Sequence, residues 1–204
     1  MNNPVRLIDP DGCSAKDIIV KSVVRDDDAY KTQVLDELQK LTSDKLTIDN
    51  KGKITILEKA IGSKKLEGTA LIRGLIEGFT DANGVLHNKT TTITNENALK
   101  DNALATPTDV NLASNGVGSD SKLTYRTDMK AELEVTKNDG TKIKVKQPNF
   151  IVIGHELIHA KNNALGQRKV YKTIDDPKVK NEEERDAQEK ENILRKENNL
   201  PPRP

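Results

Sequence analysis

Residues 151 to 160 read Ile-Val-Ile-Gly-His-Glu-Leu-Ile-His-Ala, with two histidines four positions apart and a glutamate between them inside an apolar run. An apolar run of this length demands a core, and the spacing of its polar residues demands a helix. On a helix, positions i and i+4 share one face, so His155 and His159 can reach one metal ion while Glu156 reaches a water on it. In a strand the same two imidazoles would stand roughly 13 Å apart. The chain holds only three histidines, and a stacked pair beside a carboxylate has no evident packing purpose. The pattern therefore reads as half of a zinc hydrolase site, with His155 and His159 as ligands and Glu156 as base. Asn149 to Ile153 can drive the segment into a core, and Pro148 suits a first turn. The spacing predicts a helix from about Pro148 to Leu165, closed by Gly166.

Composition limits what surrounds that helix. The 204 residues are 34% hydrophobic and 32% charged, with two Phe, three Tyr and no Trp. Mean hydropathy is −0.69. Such a chain can bury a modest aliphatic core and should also carry long solvated loops or mobile ends. A formal net charge of +1 gives no broad basic field, so neither nucleic acid nor a membrane surface is the expected partner. Cys13 is the sole cysteine, which leaves no intramolecular disulfide and a free thiol. The N-terminus lacks the apolar centre of a Sec signal peptide, and no stretch has transmembrane length. The expectation is a soluble protein that, if exported, leaves by another route.

Residues 1–15 read as an extended leader, and 16–204 as one domain. The β-branched run within Asp17 to Val24 suits a strand. Asp26, Asp27 and Asp28 then open a helix in which Tyr30, Val34, Leu38 and Leu41 share a face. Leu46–Asp49 and Lys53–Leu57 flank Asn50-Lys51-Gly52 as a hairpin. Leu66–Gly78 places Leu71, Ile72, Leu75 and Ile76 on one helical face, weakened by Gly68 and Gly74. Thr90–Thr94 is a strand candidate, and His87 before it reads as a solvent-exposed turn residue. Residues 95–121, rich in Asn, Ala, Ser and Gly, read as a long loop. Leu123–Thr127 follows as a strand. Ala131–Lys137 and Thr141–Lys146 then alternate around Asn138-Asp139-Gly140, a hairpin leading directly into the histidine helix. The edge of that hairpin could pair with an extended peptide. Val179–Asn198 reads as a charged, solvated helix with Ala187, Ile193 and Leu194 as its apolar anchors.

A catalytic zinc site keeps three protein ligands and one open position. With His87 the only other histidine, a carboxylate of the C-terminal segment is the expected third ligand. Glu182, Glu183, Glu184, Asp186, Glu189 and Glu191 are all available there.

The order His-Glu-Leu-Ile-His-Ala, Glu182-Glu183-Glu184-Arg185, Glu191-Asn192-Ile193-Leu194-Arg195 and Leu200-Pro201-Pro202-Arg203 resembles the NleD-like zinc metalloproteases, bacterial type III effectors that cut host kinases. The likeness covers about residues 148–204. In outline the segment is also similar to the clostridial neurotoxin light chains, where the second Glu of a Glu-Glu-x-Arg motif binds zinc. These resemblances imply an α+β, zincin-like fold, with a small mixed sheet, the active-site helix at 148–166 and a C-terminal ligand segment at 179–204. They imply Zn²⁺ held by His155, His159 and Glu183, with Glu182, Glu184 or Glu191 as the alternatives. Glu191, twelve residues before Arg203, would be a carboxylate behind the ligands, and Arg203 would polarise the scissile carbonyl. The family's tyrosine after the Leu-Pro-x-Arg motif has no counterpart up to Pro204, which leaves Tyr125 or Tyr171 as substitutes. The implied activity is a monomeric zinc endopeptidase, an effector or toxin cutting a protein inside a target cell, with a host signalling kinase as the implied substrate. The alternative is a non-catalytic module in which zinc staples the C-terminal helix to the domain.

Overall fold

The computed structural model describes residues 17–24, 27–100, 102–137, 139–169 and 177–203. The 1–15 leader with Cys13, and Asp26, Tyr171 and Pro204, lie outside these residues.

Local chemistry sets the first elements. Strand β1 (Ile18–Lys21) buries Ile18 and Val20 on one side. Helix α1 (Asp28–Leu41) starts where the Asp27 side chain accepts from the Tyr30 N–H at 3.0 Å, and it buries Tyr30, Val34, Leu38 and Leu41 as the spacing requires. Strands β2 (Lys45–Ile48) and β3 (Lys53–Glu58) form the expected antiparallel hairpin. Helix α2 (Leu66–Glu77) buries Leu71, Ile72 and Leu75. Gly68, which weakened the helical pattern, has a packing purpose: a Cβ there would sit 2.0 Å from the Leu41 carbonyl oxygen. The residue lets α2 lie directly against the end of α1.

Strands β4 (Phe79–Thr80) and β5 (Leu86–His87) make a small ribbon that the sequence reading missed. It corrects the reading of His87, which is only 5% exposed and places Nε2 3.1 Å from Asp81 Oδ2. Strand β6 (Thr91–Thr94) falls where expected. The long loop over 95–121 is also corrected. It contains strand β7 (Leu104–Pro107) and a 3-10 turn at Leu112–Ser114, and it delivers the chain to β8 (Ser121–Thr124).

The six strands run in the order β2-β3-β1-β6-β8-β7, with β1, β6 and β8 parallel to their neighbours in that group and β7 antiparallel at the edge. A mixed α+β fold with four helices results among the described residues. Strands β9 (Glu132–Thr136) and β10 (Lys142–Lys146) form the expected hairpin as a separate two-stranded ribbon.

Helix α3 (Asn149–Ala164) packs on α1, α2, β7 and β8 and against α4 (Pro177–Glu197). It is buried along nearly its whole length, from Ile151 to Ala164. Its end is closed as expected, by Gly166 at φ +67°, with Gly166 N–H on Asn163 O and Gln167 N–H on Asn162 O. Helix α4 departs from the solvated reading. Glu183, Ala187, Glu191, Leu194 and Arg195 form a buried stripe at helical spacing, while the expected anchor Ile193 is 45% exposed. No described helix is long and apolar enough to cross a membrane.

Candidate metal centre

One turn of α3 separates His155 from His159, and their Nε2 atoms approach to 3.2 Å. Both rings are held from behind. His155 Nδ1 meets Glu191 Oε2 at 3.0 Å, and His159 Nδ1 meets Glu183 Oε1 at 3.1 Å. A carboxylate can only accept, so each Nδ1 donates to its glutamate and each Nε2 is turned toward the other ring. A proton or a metal ion shared between the two Nε2 atoms suits this approach. Across from the pair, Glu184 places Oε2 3.6 Å from His155 Nε2 and Oε1 3.6 Å from His159 Nε2. His155, His159 and Glu184 thus form a group that can hold a metal ion, their ligand atoms all within 4.8 Å of one another.

This geometry brings Glu184, and not the expected Glu183, to the two Nε2 atoms. Glu183 faces His159 Nδ1, not Nε2, and its other oxygen accepts from the Lys169 N–H at 3.0 Å. Successive helical residues are separated by about 100° around the axis, so Glu184 comes round to the open side while Glu183 stays in the interior. Glu182 lies apart, 4.0 Å from Lys169 Nζ. Asp186 pairs with Lys190.

Glu191 lies behind His155. Its Oε2 takes His155 Nδ1 and, at 3.3 Å, Arg203 Nη1. Its Oε1 accepts from Gln147 Nε2 at 3.2 Å and Arg195 Nη1 at 3.3 Å. Gln147 is absent from the sequence reading, and Arg195 enters it only as the end of the Glu191–Arg195 motif, with no role. For Arg195 the i,i+4 spacing to Glu191 was a usable signal, and for the neutral Gln147 there was none.

Glu156 turns toward the edge strand, where its Oε2 accepts from the Ala105 N–H at 2.7 Å. That contact runs through the main chain, so no side-chain pattern announces it. A cleft of about 470 Å³ is lined by Ala103, Leu104 and Ala105 of the β7 side, by His155, Glu156, His159 and Glu184, and by Arg203. Tyr125, a possible donor to the site, is fully buried elsewhere and its hydroxyl has no partner among the described residues.

The electrostatics favour a cation here. Burial depresses His155, but hydrogen bonds to Glu184 and Glu191 overcome it and push the ring up to about 9. Glu184 is held below the usual carboxylate range by the His155 hydrogen bond. Burial works against ionised Glu191, and the bond to His155 still keeps it low. Glu156, by contrast, is pushed up by burial. A field that stabilises an imidazolium stabilises a metal dication at the same place.

No family model matches this chain, and no curated protein matches it.

Proposed function

We propose that the chain is a zinc-dependent endopeptidase on a zincin-like frame, an effector or toxin acting on a protein inside a target cell. The observation that carries this reading is the convergence of two Nε2 atoms and Glu184 in one cleft with Glu156. Resemblance in the 148–204 segment adds the effector setting and a host signalling kinase as substrate.

His155, His159 and Glu184 would hold the zinc, which when bound supplies a Lewis acid for a carbonyl and a water of lowered pKa. The chain's own residues do the rest. The edge strand β7 lines the cleft and offers an extended peptide a strand to lie along. Ala105 N–H fixes Glu156 Oε2, leaving Oε1 to take a proton from the attacking water. Burial raises Glu156, which makes it a stronger base than a solvated carboxylate. The hydroxide adds to the carbonyl carbon, and the oxyanion that forms lies toward Arg203, which is already in the cleft wall. Glu156 then passes the proton to the amine nitrogen as the C–N bond breaks.

Glu156→Gln should retain zinc and lose about 10²- to 10⁴-fold in cleavage, the usual contribution of a general base. The measurement is an N-terminal peptide survey of host lysate treated with wild type or with Glu156→Gln. Cleavage sites present only with wild type support the protease and name its substrate class. Identical surveys from two zinc-loaded proteins would leave the non-catalytic zinc module.

A further inference from the structure

Past Glu197 the chain leaves α4, reverses at Asn199 with φ +56°, and bonds Leu200 N–H to Arg195 O at 2.9 Å. Residues 200–203 have no regular secondary structure, so side chains must fix their course. Leu200 packs against the core. Arg195 Nε donates to the Pro201 carbonyl at 2.6 Å. Pro201 and Pro202 carry no N–H, which leaves Arg203 as the next main-chain donor. Asn192 takes both of that residue's main-chain groups. Its Nδ2 donates to Arg203 O at 3.0 Å, and its Oδ1 accepts from Arg203 N–H at 2.7 Å.

A carboxamide presents one donor and one acceptor side by side, as a peptide group does. Asp in this place would keep the acceptor and lose the donor, and Ala would lose both. Asn192 follows Glu191 on α4, so it points about 100° away and is absent from the cleft wall. Arg203 is therefore gripped at two ends by successive residues: Asn192 holds the main chain, and Glu191 receives the guanidinium at 3.3 Å.

We propose that Asn192 is a positioning residue for Arg203, and that its amide clamp delivers the guanidinium to Glu191 and to the cleft. The proposal rests on the protease reading for Arg203's part in turnover, while the clamp itself does not. Without the clamp the 200–203 arm keeps the Pro201 and Leu200 contacts and the one guanidinium contact to Glu191, which leaves the Arg203 main chain unheld and its side chain spread over more orientations.

Two measurements on the full chain test it. Hydrogen exchange of a peptide covering the arm reads the clamp directly: Asn192→Ala should speed exchange of the Arg203 amide, and Asn192→Asp should leave it closer to wild type. Cleavage kinetics, on a substrate from the peptide survey, read the consequence. Asn192→Ala should lower kcat about 10- to 100-fold, the scale of a misplaced catalytic group, with KM and zinc content held. In an Arg203→Ala background the same substitution should cost nothing further, because the group it positions is gone. An equal loss in both backgrounds, or unchanged exchange of the arm in Asn192→Ala, overturns the proposal. If wild type cuts nothing, the protease reading fails, and the exchange result alone decides the clamp.

Discussion

Asp44 and Glu191 are both carboxylates at 0% exposure, and both are gripped by arginine. Arg73 closes on Asp44 as a fork, Nε to Oδ2 and Nη2 to Oδ1 each at 2.6 Å, and the Ala60 N–H adds a third bond at 2.8 Å. Glu191 has longer contacts and more partners, with Arg195 and Arg203 both at 3.3 Å, Gln147 at 3.2 Å and His155 at 3.0 Å. By hydrogen-bond geometry alone, Asp44 is the better-made ion pair. The two differ in what lies beyond them. The bonds at Asp44 stay within the scaffold: Arg73 Nη2 also reaches the Ala60 carbonyl at 3.1 Å, and together they tie α2 and the turn at residue 60 to the start of β2. The bond from Glu191 to His155 continues, because the far nitrogen of that ring faces His159 and Glu184. A buried carboxylate belongs to a site when a partner carries its bond on into the cleft, as His155 does and Arg73 does not.

The largest effect that separates the two is on stability. Glu191→Ala leaves Arg195, 1% exposed, as a buried cation without its carboxylate, a change that costs about 3–5 kcal/mol. Asp44→Ala should cost less, about 1–3 kcal/mol, since the Arg73 side chain is 33% exposed and can turn to water. Urea unfolding of both variants makes the comparison. A larger loss for Asp44→Ala would show that fork geometry, not burial of the arginine, governs these pairs.

Metal affinity separates them next. Glu191→Gln keeps an acceptor for Arg195 but weakens the hold on His155 Nδ1, and zinc affinity should fall about 10- to 100-fold. Asp44→Asn should leave it unchanged. The same competition titration with a chromogenic chelator also sharpens the third ligand. Glu183→Gln alters only the carboxylate behind His159 and should fall in the same about 10- to 100-fold range, whereas Glu184→Gln removes the proposed ligand and should exceed it. If Glu183→Gln proved the more damaging, the ligand role would pass back to Glu183, the position implied by resemblance to the neurotoxin light chains.

The contrast also shows where a sequence stops being readable. Helix α3 was legible because its apolar run and the four-residue spacing of its histidines both reflect helix geometry. The 131–146 hairpin and the Tyr30-Val34-Leu38-Leu41 stripe were legible for the same kind of reason. Strand β7 was not, because Leu104-Ala105-Thr106-Pro107 is a strand only through its pairing with β8, and small residues around it hide the alternation. Helix α4 misled in the opposite way. Its buried stripe includes Glu183, Glu191 and Arg195, and hydropathy cannot tell an acid that faces water from one sealed by a histidine and two arginines. His87 failed likewise, since its burial depends on Asp81. Within the site, the two histidines, Glu156 and the Glu191–Arg203 pair are brought together as motif order suggests, but which of Glu183 and Glu184 faces the Nε2 atoms depends on the rotation of α4 relative to α3, which no spacing encodes.

The smallest effect is a difference of sign with pH, and it adds Glu156 to the comparison. Asp44 is held below the usual carboxylate range by the Arg73 hydrogen bonds. Its contribution is therefore complete above the unfolded value of about 3.9 and fades as pH falls through the lower folded value. Asp44→Asn should then cost most near neutrality and progressively less in acid. Glu156 is raised by burial, so the folded state prefers its protonated form. Below the unfolded value, about 4.3, ionisation carries no cost, and the cost enters as pH rises through the folded value. Glu156→Gln, which still offers an oxygen to the Ala105 N–H, should therefore stabilise the metal-free protein at neutral pH, with the gain closing as pH falls toward 4. Denaturant unfolding in chelator between pH 4 and 7 should show the two variants displaced from wild type in opposite directions. A destabilised Glu156→Gln at pH 7 would mean that the Ala105 hydrogen bond outweighs burial, and that this carboxylate is held as a structural acceptor like Asp44.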